Sequence, residues 1–159
     1  EGGRVGADTA ALVEQRVVSE GKKADGGRFS PYSTKPAPAH LYFGRSRNAG
    51  AEQKVRAKAK ARQPISYRDF RQINGLNVGQ KNFQFTGRMW QGFGVKSVRS
   101  VRPGVVEVEI GGKTLRSALL LIKHSEREGI PLSKPSQREL EIVKNGIAAR
   151  FKAIIERNV

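Results

Sequence analysis

The stretch Ile65–Val95, ISYRDFRQINGLNVGQKNFQFTGRMWQGFGV, decides how this chain is read. It holds four of the seven Phe residues (Phe70, Phe83, Phe85 and Phe93), the only Trp, Trp90, and the only Met, Met89. Large rings contribute most to burial, so this segment should seed the core. Ser66 is a good N-cap, and Asp69 three residues later makes a variant of the capping box. Tyr67, Phe70 and Ile73 then share one helical face, which Asn74–Gly75 ends. Asn82–Phe85 reads as a short strand with Phe83 and Phe85 on one side. Thr86 can cap a short helix over 87–91 that turns Met89 and Trp90 inward, closed by Gly92 and Gly94.

The segments after it supply a sheet and two helices. Val95, Val98 and Val101 lie among Lys96 and Arg99, and Arg102–Pro103–Gly104 is a turn. Val106, Val108 and Ile110 alternate with Glu107 and Glu109, the clearest strand signature in the chain. The two segments predict an antiparallel hairpin in which basic 96, 99 and 102 face acidic 107 and 109, worth roughly 0.2–1 kcal/mol per pair. Gly111–Gly112 should break the second strand. Leu115, Ala118, Leu119 and Ile122 follow helical spacing as far as Gly129. Ser136 and Glu139 form an S-x-x-E capping box opening a last helix. Its stripe of Leu140, Val143, Ile147, Phe151, Ile154 and Ile155 is long enough to cover a small sheet.

Upstream, residues 1–7 are Gly-rich and read as a mobile N-terminus. Asp8 or Thr9 can cap a helix over about 9–22, with Leu12, Val13 and Val17 on one face and Gly21 near its stop. Residues 24–63 read as an extended aromatic and basic loop or arm. Pro31, Pro36 and Pro38 disfavour helix and inner strand there, yet Phe29, Tyr32, Leu41, Tyr42 and Phe43 are interleaved among them. Such a loop either lies across its own core or docks on a neighbouring subunit; long structureless loops in compact domains tend to be functional or disordered. Within it, residues 44–63 carry Arg45, Arg47, Lys54, Arg56, Lys58, Lys60 and Arg62 against Glu52 alone. This run is either a solvated loop or a contact with phosphates or acidic protein. It has good helix propensity but no apolar face beyond Val55 and the alanines. No aromatics interleave it, which disfavours a base-stacking platform.

The expected fold is therefore α+β, one domain over 1–159. A small antiparallel sheet, the hairpin plus a short strand, is packed by N-terminal and C-terminal helices, with a long extended loop. Thirty Lys and Arg against 14 Asp and Glu give a formal charge of +16. That excess implies a polyanionic or acidic partner: nucleic acid, an anionic membrane or an acidic protein face. With no Cys, disulfides and thiolate metal sites are excluded. No apolar run approaches the ~20 residues of a membrane span. Residues 1–9 hold no signal-peptide h-region, and the chain reads as soluble and intracellular or as part of an assembly built inside a cell.

Catalytic patterns are weak. His40 and His124 are the only histidines, and neither has a set of partners a ligand or general base would need. Glu107 and Glu109 share a strand face with no third carboxylate. The glycines at 87, 92 and 94 match neither G-x-x-x-x-G-K-[ST] nor G-x-G-x-x-G. The sequence predicts no enzyme, cofactor or metal.

Three ordered motifs carry a resemblance: GKKADGGRFSPYS (Gly21–Ser33), ISYRDFRQINGL with FQFTGRMWQGFGV (Ile65–Leu76 and Phe83–Val95), and HSEREGIPLSKPSQRELEIV (His124–Val143). In this order the chain resembles the small head–tail joining and tail-completion proteins of tailed bacteriophages. There an aromatic "PYS" loop, a "Y…R…GL" helix and a "TG.M..S" turn recur; here Gly92 stands where Ser is common and Arg88 where an acidic residue is common. The resemblance implies a non-catalytic virion protein that forms part of a neck or tail-completion ring. Its partners would be identical subunits, joined by heterologous contacts that close, and portal-side, adaptor or tail-tube proteins. Phe29, Tyr32, Tyr42 and Phe43 would be subunit-interface anchors. Arg45, Arg47, Lys54, Arg56, Lys58, Lys60 and Arg62 would contact acidic partners or packaged DNA. The competing expectation, from charge, is a ribosomal or nucleoid-type nucleic-acid-binding protein.

Overall fold

The computed structural model describes residues 1–84 and 87–157. Phe85 and Thr86, expected in the core and as a helix cap, lie outside the described residues. Among the described residues the fold is α+β: six α-helices and a two-stranded antiparallel sheet. The chain forms two compact units, not the single domain expected. One is Glu1–Arg28 with Asn82–Val159, the other Phe29–Lys81. The physical reason is that the proline-rich segment and the basic run build a small core of their own.

In the first unit, helix α1 (Gly2–Gln15) continues through a π-helical turn over Arg16–Glu20 and stops at Gly21 in the left-handed region. The N-terminus is thus helical from Gly2, where a mobile segment over 1–7 was expected. The glycines explain it. A Cβ on Gly6 would sit 2.5 Å from a Val108 methyl and 2.7 Å from one of Val95, and a Cβ on Gly2 would sit 2.9 Å from a Val98 methyl. Lacking side chains, they let α1 lie directly on the hairpin, and this contact outweighs the entropy cost of ordering Gly.

The hairpin is β1 (Phe93–Arg102) and β2 (Val105–Gly112), turning at Gly104 with φ 77°. Its register sets Arg99 opposite Glu107 and Ser97 opposite Glu109, and Lys96 pairs with Glu109. The expected basic–acidic facing therefore holds for 96 and 99; Arg102 faces Val105 instead. Gly111–Gly112 belongs to β2 and does not break it. A Cβ on Gly112 would lie 2.3 Å from the Ala118 backbone nitrogen, so the bare strand end is where the next helix packs. The expected third strand is absent among the described residues: Phe83 has φ 53°, incompatible with an extended run.

Helix α4 (Arg88–Gln91) buries Met89 and Trp90, and the Trp90 indole N–H donates to the Asn82 carbonyl at 3.3 Å. Helix α5 (Leu115–Glu128) is capped by the Thr114 hydroxyl and stopped by Gly129 in the left-handed region. Helix α6 (Gln137–Arg157) opens with the expected box: Ser136 Oγ accepts from the Glu139 N–H, and Glu139 Oε2 accepts from the Ser136 N–H. It runs antiparallel to α1. Glu139 meets Arg16 at one end, and Arg150 pairs with Asp8 and Glu1 at the other. The core here is Val13, Val17, Met89, Trp90, Phe93, Leu121, Leu132 and Val143.

In the second unit, Ala37 and Ile65 exchange backbone hydrogen bonds at 3.0 and 2.9 Å, closing the chain over 37–65. Residues 24–63 are not one extended arm, since helix α2 (Ala49–Lys60) occupies the basic run. Its N-cap is Asn48, whose side chain accepts from the Ala51 N–H. Ala51 and Val55, one turn apart, are buried; small side chains give α2 a covered face that hydrophobic periodicity barely registers. Helix α3 (Tyr67–Ile73) has the complete Ser66–Asp69 capping box.

Candidate assembly and polyanion surfaces

The four aromatic anchors expected at a subunit interface divide. Phe29 and Tyr32 are 7% and 5% exposed, so they are core residues and not outward anchors. Tyr32 has the Arg71 guanidinium over its ring at 4.0 Å and Tyr67 at its edge at 5.7 Å. Arg71 is itself buried and donates to the Asn77 carbonyl. A ring sandwiched with a buried cation gains more than a solvent-exposed one, which is why Tyr32 turns inward. Tyr42 is half-buried and stacked on Phe70, centroids 4.6 Å apart. Burial raises its hydroxyl's pKa above the ordinary tyrosine value. Phe43 alone is exposed, 38%, with the Arg56 guanidinium 4.7 Å above its ring.

The seven basic residues expected to contact a partner, Arg45 to Arg62, are all exposed on the second unit. With Ala51 and Val55 inward, Lys54 and Lys58 fall on one flank of α2, and Arg56 and Lys60 on the other. Arg45, Arg47 and Arg62 are exposed beside the helix ends in the chain. Arg62 takes φ 53° as the chain leaves α2. The unit holds eleven Lys and Arg against Glu52 and Asp69, so more than half of the chain's net charge sits on a third of its residues. Both carboxylates are engaged. Glu52 accepts from the Gly44 N–H, 3.2 Å to each oxygen, and pairs with Arg56 at 3.0 Å. The Gly44 N–H, then the neighbouring side chains, hold its pKa below the ordinary value. Asp69 accepts from Ser66 Oγ and N–H at 2.7 and 2.9 Å, and these bonds lower its pKa likewise.

The first unit carries a surface that periodicity assigned to the core. On α5, Ser117 and Leu121 are buried, while Leu115, Leu119 and Ile122 are 78%, 56% and 54% exposed. The inward face is the one with small residues. Ser117 packs where a Gly92 Cβ would be, 2.7 Å from its own Cβ, and its hydroxyl donates to the Met89 carbonyl at 2.8 Å. Helix α5 is apolar on two sides, and close packing selected the smaller. On α6, Val143 is buried and Ile147 half-buried, but Leu140, Phe151, Ile154 and Ile155 are exposed. Arg150, at the near edge of that stretch, is tied to Glu1 at 3.0 Å and to Asp8 of α1 at 2.5 Å. Val98, Val101, Val105 and Val106 at the outer end of the hairpin are exposed as well. Leu115, Leu119 and Ile122, four and three residues apart, share one face of α5, and a clustered exposed apolar face is a mark of an interaction site.

Of the two acidic residues that share a strand face, Glu109 is engaged by Lys96 and Arg99. Lys96, then Ser97 and Arg99, lower the Glu109 pKa. Among the described residues no three His, Cys, Asp or Glu side chains are grouped to hold a metal. His124 lies against Phe83, centroids 5.1 Å apart. No described helix is long and apolar enough to cross a membrane. Compared with family models, curated proteins and solved structures, the chain matches none.

Proposed function

We propose that this chain is a structural subunit of a tailed-phage virion, part of the neck or tail-completion ring between head and tail, and that it acts by assembly and not by catalysis. The observation that carries the reading is the uncovered apolar face of α5, Leu115, Leu119 and Ile122, continued in kind by Phe151, Ile154 and Ile155 on α6. Covering each such side chain contributes roughly 1.5–3 kcal/mol. A handful suffices to hold neighbouring copies together, each offering one patch to a different patch of the next so that the ring closes. The ordered motifs of the phage joining proteins point to the same role. Of the aromatic anchors, Phe43 and the half-buried Tyr42 keep that assignment; Phe29 and Tyr32 serve the fold.

The alternative, a free-standing ribosomal or nucleoid-type protein, draws on the charge of the second unit but leaves the apolar faces unexplained. Negative-stain imaging of the purified chain, alone and co-expressed with portal and tail-tube proteins, tests the proposal. Closed rings that join those partners are expected. A protein that stays single and ignores them at every concentration tried contradicts it.

A further inference from the structure

We infer that the outer surface of the second unit, centred on α2, seats the phosphate backbone of a nucleic-acid duplex without reading its sequence. The argument is chemical and stands apart from the assembly reading. Lys54 and Lys58 form one row and Arg56 and Lys60 another on the opposite flank of the helix, members of each row one turn apart, about 6 Å. Arg45, Arg47 and Arg62 extend the field. Lys54, Lys60, Arg45 and Arg62 make no ion pair among the described residues. Of the rows only Arg56 is ion-paired among the described residues, to Glu52 at 3.0 Å, while Asp69 is turned to Ser66.

What surrounds the cations selects the partner. Besides its basic side chains, α2 exposes only Ala49, Gly50, Gln53 and Ala57. A protein partner would call for an apolar centre within the patch, and α2 has none. A single strand would call for open stacking rings among the cations; the helix carries none, and the exposed ring beside it, Phe43, already has the Arg56 guanidinium over its face at 4.7 Å. Bare cations in rows fit repeated phosphates, whose contacts position a duplex but carry no sequence information.

The experiment is titration of the full chain with fluorescent 20-bp duplexes across a salt series. About four phosphate contacts at ~0.9 each predict a log–log slope near −4, or roughly a 100-fold loss between 50 and 200 mM salt. Duplexes of unrelated sequence should bind alike, and duplex RNA should bind within about tenfold of duplex DNA. A variant with Lys54, Lys58, Lys60 and Arg62 all changed to Gln should lose about 3 to 4 of that slope; Gln keeps helix propensity, and circular dichroism checks α2. A control with Arg4, Lys134, Arg138 and Lys144 changed to Gln, all exposed in the first unit, loses the same net charge and should keep the slope. Equal slopes in the two variants would overturn the inference. So would poly-glutamate competing with the wild-type chain as well as DNA does, which would assign the patch to acidic protein, or a preference of more than tenfold for one sequence or one nucleic acid.

Discussion

Arg16 Nε donates to Glu139 Oε1 at 2.8 Å, and both side chains are buried. Arg16 also donates to the Lys22 and Lys134 carbonyls at 2.9 and 2.8 Å, so one guanidinium joins the end of α1, the loop after it, and the loop and first turn of α6. Glu139 in turn caps the Ser136 N–H. Removing one member of a buried pair leaves an uncompensated charge, which costs roughly 3–5 kcal/mol. Arg16→Ala should lose about that much in urea unfolding. Arg16→Met combined with Glu139→Leu should recover only part of it, because two carbonyls and the Ser136 N–H still lack partners.

Gly112 and Gly6 separate two kinds of close approach. A Cβ at Gly112 meets the backbone of Ala118 at 2.3 and 2.6 Å, and backbone cannot rotate away. Gly112→Ala should therefore cost at or above the top of the ~1–3 kcal/mol range for overpacking. A Cβ at Gly6 meets only valine methyls, and Ala in place of Gly returns roughly 1 kcal/mol of helix propensity. Gly6→Ala should be clearly the milder of the two in thermal melts.

These positions show where the sequence was legible. The hairpin could be read because Val106, Val108 and Ile110 alternate with glutamates, a period of two that only a strand uses. The Ser66–Asp69 and Ser136–Glu139 boxes could be read because a hydroxyl and a carboxylate three apart satisfy the same two N–H groups wherever they occur. Helix α2 could not, because its covered face is made of alanines and one valine. Arg16 could not, because nothing near it in sequence announces Glu139. The apolar period of α5 was correct, but a period does not say which of two apolar faces is covered. The small residues Gly92, Gly112 and Ser117, which allow close packing, held that information.

Acid should loosen the second unit. The pKa values of Asp69 and Glu52 are depressed on folding, chiefly by Ser66 and by the Gly44 N–H. A depressed carboxylate contributes stability that is present above its unfolded value, about 3.9 for Asp and 4.3 for Glu, and is lost as pH falls through the folded value. Stability should thus be level near neutrality and fall as pH drops below about 4.5. Asp69→Asn should flatten part of that fall and cost about 1 kcal/mol at pH 7 through the lost cap. Denaturation midpoints from pH 7 to pH 2.5 check both.

Leu119→Glu and Phe151→Glu alter side chains that are already in solvent. Neither should change the unfolding free energy of a dilute, dissociated chain by more than about 0.5 kcal/mol. Both should weaken self-association, Leu119→Glu by placing an unpaired charge at a contact that buries α5, a penalty of several kcal/mol per neighbour. Sedimentation of each variant beside the wild type separates this from misfolding.

The most direct measurement is the mass of the purified chain in solution by light scattering, as a function of concentration. The account predicts a discrete multiple of 17.5 kDa, reached cooperatively and reduced by Leu119→Glu. A constant 17.5 kDa at all concentrations, with Leu115, Leu119 and Ile122 still open to solvent labelling and no virion partner able to protect them, would contradict it.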